Sequence, residues 1–179
     1  GIEVYRPQLI SSGQQEGLSI INPDLVGEIN FSTGGFAAEY GDKMSSVLDI
    51  TYREPQAFEG ALSLSLMGGS FSLGHNSKNF SQIHGFRYKS NSSLLSSMET
   101  KGEYDPKYFD YQTNMTYKLN SKFKVNFLGN IAINNYNFKP VNRTTNFGTS
   151  TDAKQFKVYF DGQEKDKFET YFGALSLNY

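Results

Sequence analysis

A chain of 179 residues with a formal net charge of −1 and no cysteine can form one globular domain, but no disulfide framework, thiol nucleophile or thiolate metal site. Near-neutral charge argues against nucleic-acid binding, which draws on a clear basic excess, and no run approaches the roughly 18 apolar residues of a membrane helix. A mean hydropathy of −0.51 leaves a β-barrel open, because only alternate positions of a barrel strand need be apolar. The 12 Tyr and 15 Phe, without Trp, suit either the aromatic girdles of such a barrel or a Tyr-rich soluble sandwich.

Taken in order, residues 1–55 carry short apolar groups rather than long alternating runs. Asn22-Pro23-Asp24 predicts a turn or a one-turn helix start, since Pro is tolerated at the first helical position. A strand is expected around Ile29–Ser32, broken by Gly34-Gly35. A further turn is expected at Gly41-Asp42, and a short strand over Ser46–Tyr52. This part reads as a compact, turn-rich α+β piece, with a boundary at Pro55-Gln56.

Residues 56–179 predict about six strands, near 58–67, 70–75, 80–92, 108–119, 122–138 and 167–179. Gly68-Gly69 is expected as a hairpin turn, and His75–Asn79 and Asn120-Ser121 as short polar turns. The fourth and fifth strands carry the clearest pattern. Phe109, Tyr111, Thr113, Met115, Tyr117 and Leu119 alternate with Asp110, Gln112, Asn114, Thr116 and Lys118; Phe123, Val125, Phe127, Gly129, Ile131 and Ile133 then alternate with Lys124, Asn126, Leu128, Asn130, Ala132 and Asn134. Side chains of a strand alternate between faces, so each run presents one apolar and one polar face. Strands near ten residues exceed the globular mode of about 5–6 and match the about 9–11 that a bilayer demands of a tilted strand. The segments 93–107 and 139–166 read as long polar loops. Short turns at one end and long loops at the other are the asymmetry of an outer-membrane barrel. The expected fold class is mostly β: part of a transmembrane antiparallel barrel preceded by an α+β segment.

A resemblance sharpens this. Asn22-Pro23-Asp24-Leu25-Val26-Gly27-Glu28-Ile29, then Gly34-Gly35-Phe36-Ala37-Ala38-Glu39-Tyr40-Gly41, then Ser45-Ser46-Val47-Leu48-Asp49-Ile50 together resemble the end of the plug domain of TonB-dependent outer-membrane receptors. Phe58-Glu59-Gly60 resembles the start of the barrel in that family, and Phe86-Arg87-Tyr88-Lys89-Ser90 a third-strand pattern. The resemblance implies the C-terminal part of a plug over 1–55 and the first strands of a plugged barrel of about 22 strands over 56–179. It implies active uptake of a nutrient (an iron chelate, a cobalamin, a glycan or a peptide) across the bacterial outer membrane. Outer-membrane lipid and a TonB-type energy-coupling complex would be partners, the latter acting through an upstream box that these residues lack, and a surface lipoprotein is a further admissible partner. On this reading the chain is an internal segment of a longer protein. Six strands alone cannot close, and their edges would be unpaired.

Two rivals stand beside it: a soluble, adhesin-like β-sandwich that binds a surface glycan through the 93–107 and 139–166 loops, and a passive porin. No cofactor is expected. His75 and His84 fit no metal spacing, and Glu99, Glu103, Asp105 and Asp110 read either as a solvated acidic loop or as calcium ligands. No Gly-x-Ser-x-Gly elbow or phosphate loop is present, so no residue set carries catalysis. Glu39, Arg53, Arg87 and Lys89 are the candidate plug–barrel contacts, Arg87 and Lys89 sharing one face opposite Phe86 and Tyr88. They read equally as solvated lumen charges. Gly34, Gly35 and Gly41 are the expected turn glycines of the plug.

Overall fold

The computed structural model describes residues 2–4, 19–41, 45–90, 102–149 and 151–179. Among these the chain is mostly β, with antiparallel sheets and no α-helix. A single 3-10 turn at Pro23–Leu25 starts as the Asn-Pro-Asp motif predicts: Asn22 caps it, its side chain accepting from the Asp24 amide at 3.1 Å. It leads into β1 (Val26–Ser32). A second such turn, Ala38–Tyr40, precedes β2 (Val47–Tyr52), which pairs antiparallel with β1.

The wall sheet follows as β3 (Glu59–Ser65), β4 (Gly68–Asn76), β5 (Phe80–Ser90), β7 (Lys107–Lys118), β8 (Lys124–Pro140) and β11 (Glu164–Asn178), each antiparallel to the next. The three-residue β6 (Gly102–Tyr104) pairs with the far end of β8. The strands β9 (Arg143–Gly148) and β10 (Ala153–Val158) form a separate hairpin inside the segment expected as an irregular loop. The expected 93–107 loop lies outside the described residues up to Lys101.

Three turns differ from expectation, the smallest change being at His75–Asn79, where the turn is only Ser77–Asn79 because His75 and Asn76 pair with Gln82 and Ser81 as the end of β4. The β3–β4 turn falls on Leu66-Met67, not on Gly68-Gly69, and Gly68 is already in β4 with φ +140°. A Cβ there would sit 2.0 Å from the Tyr88 carbonyl oxygen, so the glycine serves close approach of β5 rather than the turn. The β7–β8 connection spans Leu119–Phe123 rather than two residues, because the Asn120 side chain accepts from the Lys122 and Phe123 amides at 2.9 and 3.0 Å and builds a wider turn.

Register fixes the faces of the wall. Phe71, Phe86, Tyr111, Ile131 and Tyr171 are successive ladder partners, and Tyr88, Phe109 and Ile133 form the next row. These apolar side chains lie on the uncovered face: Phe71, Phe86, Tyr88, Phe109, Phe127, Ile131, Tyr171, Leu175 and Leu177 are all exposed, Leu175 at 72%. The alternate positions hold Ser72, Ser81, Arg87, Asp110, Gln112, Asn130 and Asn134, and these polar groups are buried or nearly so. The sheet is inverted relative to a water-soluble fold, in which the apolar face would be the buried one.

The small core sits on the polar face. Ile20 packs on Ala132 together with Val4, Ile21 and Phe172, and Leu25 is fully buried against β5 at Gly85. Burying side chains of this size contributes about 1.5–3 kcal/mol each.

Candidate functional site

The covered face is where two distant parts of the sequence meet. Arg87 on β5 and Asp110 on β7 are direct ladder partners. The guanidinium grips the carboxylate in a fork, Nε to Oδ1 at 2.7 Å and Nη2 to Oδ2 at 2.8 Å. Its remaining donors reach the N-terminal segment: Nη1 donates to the Ile21 carbonyl at 2.9 Å and Nη2 to the Ser19 carbonyl at 2.8 Å. Gln112, two residues beyond Asp110, completes the set. Its Nε2 donates to the Ile20 carbonyl at 2.9 Å and its Oε1 accepts from the Asn22 amide at 3.1 Å.

Four consecutive backbone groups, the carbonyls of residues 19, 20 and 21 and the amide of 22, are thus held by two wall side chains. Backbone polar groups buried without partners are costly; here side chains of the wall take the place of a ladder. The Asp110 side chain is 0% exposed, and it is tolerated as a charge because Arg87 is fixed beside it. Gly85 makes room, since a Cβ there would fall 2.4 Å from Asn22 Nδ2 and 3.0 Å from Leu25.

A second tie lies at the junction of the two parts. The Arg53 amide donates to the Leu25 carbonyl at 2.9 Å, its Nε donates to the Asp24 carbonyl at 2.8 Å, and its Nη1 pairs with Glu59 at the start of β3. Tyr52 reaches the same wall residues. Burial raises its phenol above the ordinary value, while a hydrogen bond with Gln112 and the Arg87 charge pull it down.

Of the sequence-predicted contacts, Arg87 is the centre of this latch and Arg53 ties the junction. Arg53 meets Glu59 and main-chain carbonyls rather than Arg87 or Lys89. Lys89 lies two residues from Arg87 on the same strand face and takes no part in the latch. The Glu39 side chain lies outside the described residues, as do Glu99 and the side chain of Glu103. The stretch Gly34–Gly41 is largely exposed, so among the described residues contact with the wall is made by Val4, Ser19–Leu25, Tyr52 and Arg53. Of the three turn glycines only Gly35 takes a left-handed conformation, at φ +63°. Gly34 and Gly41 do not, Gly41 sitting at φ −63°.

Sequence reading missed Asp110 and Gln112 as partners of the N-terminal segment. Their signal was present: two long polar side chains on the polar face of the most regular strand, with Arg87 on a neighbouring polar face. Asp110, read with the acidic loop residues, belongs to the latch instead. His84 lies on the uncovered face, its Nδ1 within 2.8 Å of the Tyr111 hydroxyl and 2.9 Å of Thr113 Oγ1.

The chain matches no family model, and no curated protein and no solved structure is significantly similar to it.

Proposed function

We propose that this chain is the plug end and opening barrel strands of a TonB-dependent transporter, which takes up a nutrient across the bacterial outer membrane. The observation that carries the reading is the inverted wall, apolar on its open face and polar on the face that holds the N-terminal segment. Apolar patches beyond a few hundred Å² are contact surfaces rather than ordinary solvent-facing surface, and the rows from Leu62 to Leu177 run across six strands. Hydrocarbon is the solvent such a face suits. Along β8 the outward apolar positions run from Val125 to Ile133, about 27 Å at about 3.4 Å per residue, or about 21 Å once tilted by about 40°. The apolar band of an outer-membrane barrel is about 25 Å tall.

The latch supports the second half of the reading. A plug must be held in its lumen and yet be displaceable. Hydrogen bonds from Arg87 and Gln112 to main-chain atoms are directional and short-range, so they fix the segment in one place yet are lost together, and exchanged for hydrogen bonds to water, after a small shift. A soluble sandwich fits poorly, because it buries apolar faces between two sheets. A passive porin has no use for a segment pinned across its inner wall. The cargo class stays with the family: an iron chelate, a cobalamin, a glycan or a peptide.

The test is topological. With no cysteine in this chain, single cysteines in the full-length protein can be labelled on intact cells with an impermeant maleimide. Thr151→Cys, in the β9–β10 turn, should label without permeabilisation, and Ser121→Cys only after it. Labelling of both on intact cells, or recovery of the protein in the soluble fraction, would overturn the assignment.

A further inference from the structure

Where β7, β8 and β11 rise above the apolar rows, the uncovered face changes character. Phe109, Ile133 and Glu169 form one ladder row; the next holds Lys107, Asn135 and Lys167, and the one above it Asn137 and Lys165. The five residues of these two upper rows, with Asp105, Tyr136 and Asp166, line an open recess of about 350 Å³. We propose that this recess seats the hydroxylated, anionic headgroup of a membrane lipid whose acyl chains lie on the apolar rows beneath. The inference rests on the reading that this face meets lipid.

The chemistry of the lining selects the ligand. Lys107 Nζ is 2.9 Å from Asp105 Oδ2 and Lys167 Nζ 2.5 Å from Glu169 Oε1, whereas Lys165 makes no ion pair among the described residues. Its exposed ammonium is a seat for a phosphate. Asp105 Oδ1 and Asn137 Oδ1 are buried atoms that accept no hydrogen bond among the described residues, and both belong to the lining. A bare inorganic anion would leave these two acceptors unmet and would be repelled by the carboxylate. An uncharged polyol would leave Lys165 unused. A phosphorylated sugar supplies hydroxyl donors to the oxygens and an anion to the amine, satisfying both sets.

Position selects the source. The recess adjoins Phe109, Ile133 and, two ladder rows below Lys167, Tyr171, which is 68% exposed. An amphiphile fills both regions at once, and basic residues at the rim of an apolar band meet anionic headgroups at the level where these lie. A free sugar phosphate would gain nothing from the apolar rows.

The full-length protein would be placed in phosphatidylcholine nanodiscs doped with a diphosphorylated, acylated glucosamine disaccharide, and retained lipid counted by native mass spectrometry. The Lys107→Gln/Lys165→Gln/Lys167→Gln variant should retain the doped lipid at least about tenfold less than wild type. A matched variant in the β9–β10 hairpin, Arg143→Gln/Lys154→Gln/Lys157→Gln, should retain as much as wild type. A single Asn137→Leu change, which leaves charge untouched, should lower retention in the same direction. The deacylated disaccharide in excess should not displace the lipid.

Equal retention by the recess and wild-type proteins, equal loss in the hairpin variant, or displacement by the deacylated sugar would overturn the lipid site. Nanodisc insertion is scored separately by co-elution. A protein that inserts but retains no doped lipid refutes this site alone, while one that fails to insert refutes the membrane reading with it.

Discussion

Arg87 and Asp110 stand opposite each other on adjacent antiparallel strands and are joined by two hydrogen bonds of 2.7 and 2.8 Å, with the carboxylate wholly buried. Because the same guanidinium holds the carbonyls of Ser19 and Ile21, one side chain both neutralises the wall and fixes the segment across it. Arg87→Ala therefore leaves a buried charge unpaired, a change that costs about 3–5 kcal/mol. The amides of residues 19–25 should lose hydrogen-exchange protection in this variant. Arg87→Lys should recover little, since an ammonium cannot reproduce the fork. Unchanged protection in Arg87→Ala would show that Gln112 and packing alone hold the segment.

Steric undocking should reproduce the effect without touching charge. Gly85→Ala places a methyl 2.4 Å from Asn22 Nδ2 and 3.0 Å from Leu25, against Gly173→Ala, whose nearest neighbour is a Phe127 ring carbon at 3.7 Å. The first should cost about 1–3 kcal/mol as overpacking and expose residues 19–25 to limited proteolysis. The second should be tolerated. Equal protease sensitivity would place the segment elsewhere.

The two faces of β7 should respond oppositely to charge. Met115→Lys puts an ammonium on the outward face and should cost about 2–4 kcal/mol in a bilayer near the midplane. Asn114→Lys, on the covered face, loses a 2.7 Å hydrogen bond from Asn126, worth about 1 kcal/mol. Urea unfolding from lipid vesicles measures both. Similar costs at the two sites would refute a lipid-facing surface.

Docking of the N-terminal part should weaken in alkali. Burial raises the Tyr52 phenol above its ordinary 10.0 in the docked state, so the undocked state releases its proton first. The contribution of Tyr52 is complete below that value and is lost as pH rises through 10.0 toward the higher docked value, because docking then requires proton uptake. Tyr52→Phe should remove this component. The measurement is hydrogen-exchange protection of residues 19–25 at about pH 9 and about pH 11, with Tyr52→Phe as reference. Parallel declines in the two proteins would assign the pH dependence to other groups.

Much of the wall was legible in the sequence because strand parity is a local property. The pleat sends alternate side chains to opposite faces whatever the chain pairs with, so the odd positions of 109–117 and 125–133 shared one face by necessity. The placement of Arg87 and Lys89 opposite Phe86 and Tyr88 follows from the same rule. The Asn-Pro-Asp start of the first 3-10 turn was equally local, since a cap needs only its own neighbours. The hairpin of β9 and β10 was not legible, because Thr, Asn and Lys dominate it and no alternation of apolar residues announces the strands.

Partners across the sheet belong to a different order of information. Which residue faces which depends on register, and a shift of one position exchanges the faces entirely. Leu66-Met67 set that register in place of the two glycines, and Asn120 widened the β7–β8 turn. Arg87 lies 23 residues from Asp110, and Gln112 lies 90 from Asn22. Nothing in the periodicity of any strand ties these together. Amino-acid order alone determined an inverted, two-faced sheet with Arg87 and Asp110 on its polar side. Tertiary structure decided which backbone those charges grip, since a hydrogen bond is fixed by a few tenths of an ångström in space and not by spacing along the chain.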